Sequence, residues 1–464
     1  MELRIDRQAL VPVVQQIVDA LACWLCRGEV PPGTRLPSVR QIARINLLSQ
    51  SSVVEACERL VAQGVLASRH GAGFIVAMPA LAAQGQQDCP WFEGAEKKKQ
   101  GGTSGELKLG CGGLPESWRE TDDLSYAIRQ VSRTDMAGLF NYSTPLGLPA
   151  LRQQIHKRLK QLDILVEESR ILTTAGASQG LDLIVRTLFK PGDCVVVENP
   201  GYSLLFDLLR LHGVSMIEVP RTPHGPDIEA LEALLVKYRP CGIFINSFYH
   251  NPTGSSLAPA VAQRVVQLAK TYGLLVIEDD VYADLHSGPG TRLAALGIDD
   301  NVIYVGSYSK TLSSSLRVGY VVAGAGVISR LAEVKMISSM GASRFCESVL
   351  ASLLASGAYR KLVQRQRQRL SNDREAALQV LEDAEWEVFG KPAGGLFIWA
   401  RSRMSDYAQV RKQAQRFGVL LSSATAFSPT AEASDWQRIN VAYACDPRAR
   451  AFFQATALDR PQAF

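Results

Sequence analysis

Residues 305–320 read VGSYSKTLSSSLRVGY: an apolar run enters a loop of small residues that carries Lys310 and, seven positions on, Arg317. A lysine amine attacks an aldehyde only when deprotonated, which burial and a nearby cation favour. Outward from this loop, strand-like runs alternate with helical ones. ILTT (171–174) precedes a helix from Ser178, CVVVE (194–198) one from about Tyr202, and CGIFINS (241–247) one from Pro259; LLVIEDD (274–280) and VIYVGS (302–307) follow. The alternation predicts a mostly parallel α/β sheet. From about residue 340 the pattern changes to long helices (350–384) and then a small mixed region around GGLFIWA (394–400) and QRINVAYA (437–444). A large α/β domain with a smaller C-terminal α+β portion is expected. The Gln-rich, basic run KLVQRQRQR (361–369) reads as a solvated helix face.

The ends of the strand-like runs carry the chemistry. LLVIEDDVYADL (274–285) places Asp279 and Tyr282 at a strand end and SFYHNPTG (247–254) places Asn251 at another, where open α/β sheets bind ligands. TTAGASQGLDLI (173–184) opens a helix at a strand end, so backbone N–H groups near Ala177 and Ser178 can hold a phosphate. Tyr202 in ENPGY could stack on a ring. A lysine for an aldehyde, an arginine for a phosphate, a carboxylate for a pyridine nitrogen and donors for a ring oxygen are together what pyridoxal 5′-phosphate requires. Taken singly, an Asp, Tyr or Arg here is a cap, a core phenol or a surface charge; the ordered set carries the reading. His250 and Cys241 read as packing residues, and GGLP (112–115) as backbone turns near a substrate pocket.

The remainder of the 464 residues is ordinary soluble composition, 47% hydrophobic and 20% charged with net charge +5, which excludes a disordered chain. No charge-free run of eighteen apolar residues occurs, and Glu2, Arg4, Asp6 and Arg7 stand where a secretory signal would be apolar. A cytoplasmic protein without membrane association is expected, and nine scattered cysteines suit free thiols. The pair Cys23 and Cys26 has C-x-x-C spacing. It lies within an amphipathic pattern (Val14, Ile17, Val18, Leu21, Leu25) with no second ligand pair, so helix packing is favoured over metal or redox chemistry.

Residues 79–107, rich in Gly, Gln, Lys and Ala without periodicity, read as a linker between a domain over 1–78 and one over 108–464. Before it, three helices are expected: one along Val14–Leu25, one capped by Ser38, one capped by Ser49 with Val53, Cys57, Leu60 and Val61 buried. A hairpin around His70-Gly71-Ala72-Gly73 completes a winged helix-turn-helix. Gln50, Ser51 and Ser52 fall at the start of the third helix, where such modules meet DNA, with Arg35, Arg40 and Arg44 nearby. Residues 1–78 carry only about +2, so charge alone leaves a protein-binding module open.

The run PPGTRLPSVRQIARINLLSQSSVVEACERLVAQGVLASRHGAGFIVA (31–77) closely resembles the GntR-type winged helix. The resemblance implies contacts to double-stranded operator DNA from Arg40, Ser51 and Ser52 and a wing contact from His70 and Gly71; Arg35 and Gln50 join the expected DNA-binding set by charge and position. Gln50 stands where that family often has Arg, and Gln suits adenine where Arg suits guanine. From about Gly110 onward the ordered motifs resemble the fold type I aminotransferase domain. By that resemblance Lys310 is the Schiff-base lysine, Asp279 the pyridinium partner, and Asn251 and Tyr282 the ring-oxygen donors. Ala177, Ser178, Ser307 and Arg317 hold the phosphate, and Tyr202 stacks on the ring. Tyr142, in NYSTPLG (141–147), reaches the phosphate across a homodimer interface, and Arg438 binds an amino acid's α-carboxylate. No metal is expected.

The two halves together resemble the MocR subfamily of bacterial regulators. That resemblance implies a regulator sensing pyridoxal phosphate, or an amino acid or amine through a Schiff base. A catalytically active aminotransferase with an accessory DNA-binding domain is the rival, because the catalytic residues are all retained. A cofactor-free structural dimeriser is a third reading.

Overall fold

The computed structural model describes residue 5 and residues 13–26, 33–62, 65–69, 73–76, 106–118, 122–136, 140–286, 290–298, 301–404, 406–423 and 425–457. The chain divides into two compact units, Met1–Gly101 and Gly102–Phe464.

In the first unit, helix α1 (Val13–Cys26) encloses the C-x-x-C spacing. Helix α2 (Val39–Ile45) begins where Ser38 accepts a hydrogen bond from the Gln41 N–H, and α3 (Gln50–Ala62) begins where Ser49 accepts from the Ser52 N–H at 3.0 Å. Strands β1 (Leu66–Arg69) and β2 (Gly73–Val76) pair antiparallel as the wing. Ile17, Leu21, Ile42, Val53, Cys57 and Leu60 form the core, with Val61 packed at its edge, as the apolar spacing requires.

The second unit is built on an eight-stranded sheet. Its strands are β3 (Ile171–Thr174), β4 (Cys194–Asn199), β5 (Ser215–Thr222), β6 (Gly225–Pro226), β7 (Gly242–Asn246), β8 (Leu275–Asp279), β9 (Val302–Ser307) and β10 (Gly319–Val322), in the order β3-β10-β9-β8-β7-β4-β5-β6. Four neighbouring pairs, from β5 through β4, β7 and β8 to β9, are parallel, whereas β10 runs antiparallel to both β3 and β9. The parallel strands read as continuous apolar runs because helices cover both faces. The alternation in the sequence marked β3, β4, β7, β8 and β9. Strands β5, β6 and β10 escaped it. β10 is four residues long and follows a polar loop, and β5 is only partly buried.

The C-terminal portion is a three-stranded antiparallel sheet, β11 (Glu387–Val388), β12 (Phe397–Arg401) and β13 (Gln437–Asn440), packed on the helices Ala358–Asp383 and Pro447–Ala455. Leu107, the last residue of the expected linker, is buried in this core and exchanges backbone hydrogen bonds with Gly418 and Leu420. The run 361–369 is not a uniformly solvated face: Leu362, Val363 and Gln366 are buried. Cys241 is exposed rather than packed, whereas His250 is fully interior.

Candidate functional site

A cavity of about 400 Å³ opens at the C-terminal ends of the central strands. Ala177, Ser178, Tyr202, Asn251, Asp279, Tyr282, Ser307, Lys310 and Arg317 all line it, so the structure brings together nine of the residues singled out in the sequence. Gly112, Gly113 and Leu114 contribute backbone to its wall, as expected of GGLP. A larger groove of about 730 Å³ is lined by Pro145, Leu146 and one face of the helix Ala325–Ser339; it lacks the convergent polar groups of a reaction site.

Lys310 follows β9 and donates from Nζ to the Gly112 carbonyl at 3.2 Å. Burial, with help from the Arg438 and Arg317 guanidinium groups, lowers its pKa against the opposing pull of Asp279. A larger fraction of the amine is therefore neutral and nucleophilic.

Asp279 ends β8 and is pushed up to about 7, chiefly by burial and also by the negative charges of Asp280 and Glu198. The Val281 N–H, at 3.2 Å from Oδ1, and Lys310 offset this only in part. The carboxylate is thus under-compensated by Lys310, and a protonated pyridine nitrogen in the cavity would supply a second positive charge.

At one end of the cavity the helix Ala177–Leu188 starts after Gly176, which has φ +80°. A Cβ at Gly176 would lie 2.4 Å from Arg317 Nη2, so only glycine admits the guanidinium. Arg317 itself holds a left-handed backbone (φ +49°) and donates to the Ala175 carbonyl at 3.3 Å, while its other amine lies 3.5 Å from Ser309 Oγ. Strained conformations of this kind persist where the surroundings fix them, often at ligand clamps. The start of this helix at Ala177 and Ser178, the Ser307 and Ser309 side chains and Arg317 line this end of the cavity together, an arrangement suited to an anion.

Tyr202 occupies the N-cap position of the helix Ser203–Leu211 without a side-chain capping bond, and is pushed up to about 12 by burial and by Asp279. It stays a neutral phenol. Tyr282 lies edge-on to Phe397, ring centroids 5.7 Å apart, and burial raises it further. Arg438, on β13, donates to the Gly110 carbonyl from Nε and Nη2, and to Asn251 Oδ1 from Nη1 at 2.7 Å. Its guanidinium also sits over the rings of Phe397 and Phe427 at 4.8 and 4.9 Å.

The sequence reading passed over Asn246, which accepts from the Asn251 N–H at 2.8 Å and donates to the Asp279 carbonyl at 2.8 Å, tying two site loops together. Asn251 and Pro252 are joined by a cis peptide, as are Asn199 and Pro200. Behind them Glu198, Arg221 and His250 form a buried polar layer, and burial lowers His250 well below its usual range, so it is neutral. Ser309 and Gln366 also went unremarked; both line the cavity. Tyr142 is 74% exposed and is not among the cavity-lining residues of this chain.

Arg35, Arg40, Gln50 and Ser51 are exposed and Ser52 half-buried. The Ser51 and Ser52 hydroxyls lie within hydrogen-bond distance of Ser49 Oγ, at 2.9 and 2.7 Å. His70 and Gly71 fall outside the described residues.

An aldehyde-reactive lysine, an under-compensated carboxylate and an end suited to an anion in one cavity define a fold type I pyridoxal phosphate domain, and the residues present fit that cofactor. Residues 104–450 match the family "Aminotransferase class I and II", and residues 13–76 match "Bacterial regulatory proteins, gntR family". The chain belongs to the aminotransferase class I and II family and carries a GntR-type winged helix ahead of that domain, the combination of MocR-type regulators. It is similar to the uncharacterised HTH-type transcriptional regulator YdfD of Bacillus subtilis, 27% identical over 94% of this chain and 93% of that protein. The 2-aminoadipate transaminase of Thermus thermophilus is 29% identical over 62% of this chain and 73% of its own. Among solved structures, a Pyrococcus horikoshii kynurenine aminotransferase in complex with PMP aligns with a TM-score of 0.73 at 25% identity, covering 79% of this chain and 93% of that one. Pyridoxal 5′-phosphate is the cofactor of the large domain. Among the described residues no helix is long and apolar enough to cross a membrane.

Proposed function

We propose that this protein is a pyridoxal phosphate-dependent transcriptional regulator: its winged helix binds operator DNA and its large domain reads an amino acid or amine. The observation that carries the reading is the cavity itself, in which Lys310 lies with its pKa lowered beside Asp279, on a chain that also bears a GntR-type reader.

When bound, the cofactor supplies an aldehyde for amine capture and an electron-withdrawing ring. Asp279 would hold its pyridine nitrogen protonated, Asn251 and Tyr282 would donate to its ring oxygen, and Tyr202 would pack on its face. Ala177, Ser178, Ser307 and Arg317 would hold its phosphate. Tyr142, exposed on this chain, would complete the phosphate site of a second copy, making the working unit a homodimer. Lys310, with its amine kept neutral, would hold the aldehyde end of the cofactor, and an incoming amine would compete with it. Arg438 would exchange its Gly110 carbonyl contacts for the effector's carboxylate. A ligand changes DNA affinity only through unequal affinity for two conformations of the protein. Release of Lys310 by an effector amine that engages Arg438 in only one conformation would supply such an inequality.

The complete set of catalytic-type residues also favours a second reading, a working aminotransferase with a DNA-binding attachment. Visible absorption of the holoprotein, titrated with amines with and without a keto acid, separates the two. The regulator shifts its absorption for selected amines without sustained turnover; the enzyme consumes keto acid repeatedly. No absorption change with any amine would remove the sensing proposal.

A further inference from the structure

Gln366 lies on the helix Ala358–Asp383, is 3% exposed, and forms part of the cavity wall with Thr311, Leu312 and Leu114. Its neighbours Arg365 and Gln364 are exposed, whereas Gln366 is a polar residue set in the buried stripe of Tyr359, Leu362, Val363 and Leu370.

One end of its amide is committed. Nε2 donates to the Thr311 carbonyl at 2.7 Å, next in sequence to Lys310. Two turns earlier on the same helix face, the Tyr359 hydroxyl lies 2.6 Å from Thr311 Oγ1 and donates to Asp284 Oδ2 at 2.5 Å. Arg158 Nε holds the other oxygen of Asp284 at 2.8 Å. Thr311 is thus gripped at its main chain and its side chain, and Gln366 cannot flip: reversal would set its oxygen against the Thr311 carbonyl.

The other end of the amide is free. Oε1 is buried and has no hydrogen-bond partner. A buried acceptor without a donor is costly, and such atoms in native proteins mark a missing ligand or water. An apolar side chain of similar size would fill the wall without that cost, so the oxygen calls for a partner from the cavity. The polar groups that suit the cofactor lie on other elements: the Ala177–Leu188 helix start, β8, and the loops after β7 and β9.

We propose that Gln366 is a specificity-determining residue of the effector site, its Oε1 accepting a hydrogen bond from the effector's side chain. The effector is accordingly an amino acid or amine whose side chain carries a hydroxyl, amide N–H or ammonium. This rests on the amine-sensing reading given above and narrows its ligand class.

The test titrates the full-length holoprotein with matched pairs that differ only in the donor: threonine against valine, homoserine against norvaline, ornithine against norleucine. Visible absorption of the bound cofactor is the readout. The donor-bearing member of at least one pair binds about tenfold more tightly. Gln366→Met removes that preference and retains the cofactor, whereas Gln366→Glu, which keeps an acceptor, restores it for ornithine. Equal affinities within every pair in the wild-type protein would overturn the inference, even if Gln366→Met failed to fold. So would a preference that survives Gln366→Met, which would assign it to another group or to water. If no member of any pair perturbs the absorption, the sensing reading itself fails; if amines bind without regard to the donor, only the role of Gln366 does.

Discussion

Arg438 Nη1 donates to Asn251 Oδ1 across 2.7 Å, joining β13 of the C-terminal portion to the loop after β7 of the large sheet. A group proposed to contact the effector's carboxylate is thereby wired to one proposed to contact the cofactor's ring oxygen. The guanidinium is buried enough for its pKa to be lowered, so an anion beside it gains a strong, poorly screened interaction.

Arg438→Ala is expected to weaken amino-acid effectors by about 100-fold, the loss of roughly 3 kcal/mol of charge-assisted hydrogen bonding. Amines without a carboxylate should bind nearly as before. Parallel absorption titrations with an amino acid and its decarboxylated amine check this; equal losses for both would assign Arg438 a purely structural part.

The pH dependence follows from Asp279. Its folded-state pKa of about 7 lies above the ordinary 3.8, so between these values the folded cofactor-free protein binds more protons than the unfolded chain. Stability from this group is complete below the lower value and falls as pH rises through the upper one. Glu278, also pushed up to about 7, adds in the same direction but does not line the cavity. Melting curves should show the cofactor-free protein losing a few degrees over this range. Cofactor, by giving Asp279 a cation, and Asp279→Asn should each flatten the slope. A slope unchanged by both would show that Asp279 is not the group responsible.

Gly176→Ala forces a Cβ to within 2.4 Å of Arg317 Nη2 at a backbone of φ +80°. Cofactor affinity should fall by at least about tenfold, since both the helix start and the guanidinium must move. Equilibrium dialysis of pyridoxal phosphate measures it; unchanged affinity would place the phosphate elsewhere.

Ahead of the large domain, Arg40 in the first turn of α2 and Gln50 at the start of α3 are exposed and should separate affinity from sequence choice. On duplexes selected from random sequence, Arg40→Ala should weaken binding across sequences and reduce the salt slope by about one. Gln50→Arg should instead shift base preference toward guanine. A selected motif unaltered by Gln50→Arg would remove Gln50 from the base-reading set.

Lys310, Asp279, Asn251 and Arg317 were legible in the sequence because each follows a strand-like run and carries a group the cofactor's chemistry demands. The cap residues Ser38 and Ser49 were legible because a hydroxyl before an apolar periodicity has one local use. Gln366 was not, because the Arg and Gln of its run pointed to solvent; Leu362, Val363 and Leu370, three and four positions away, are the periodic signal that its turn faces inward. Asn246 was hidden, its role resting on partners at positions 251 and 279. β10 was missed because its four residues, GYVV, follow directly on a polar loop and are too few to show a pattern of their own.

The central claim is that occupancy of the Lys310 site changes DNA binding. It is tested most directly by measuring the affinity of the holoprotein for a selected duplex with and without a saturating amine, in the wild type and in Lys310→Ala. The account predicts an amine-dependent change of about fivefold or more in the wild type and none in Lys310→Ala. A DNA affinity indifferent to the amine in both proteins, with sustained consumption of keto acid by the wild type, would contradict it and establish an aminotransferase in its place.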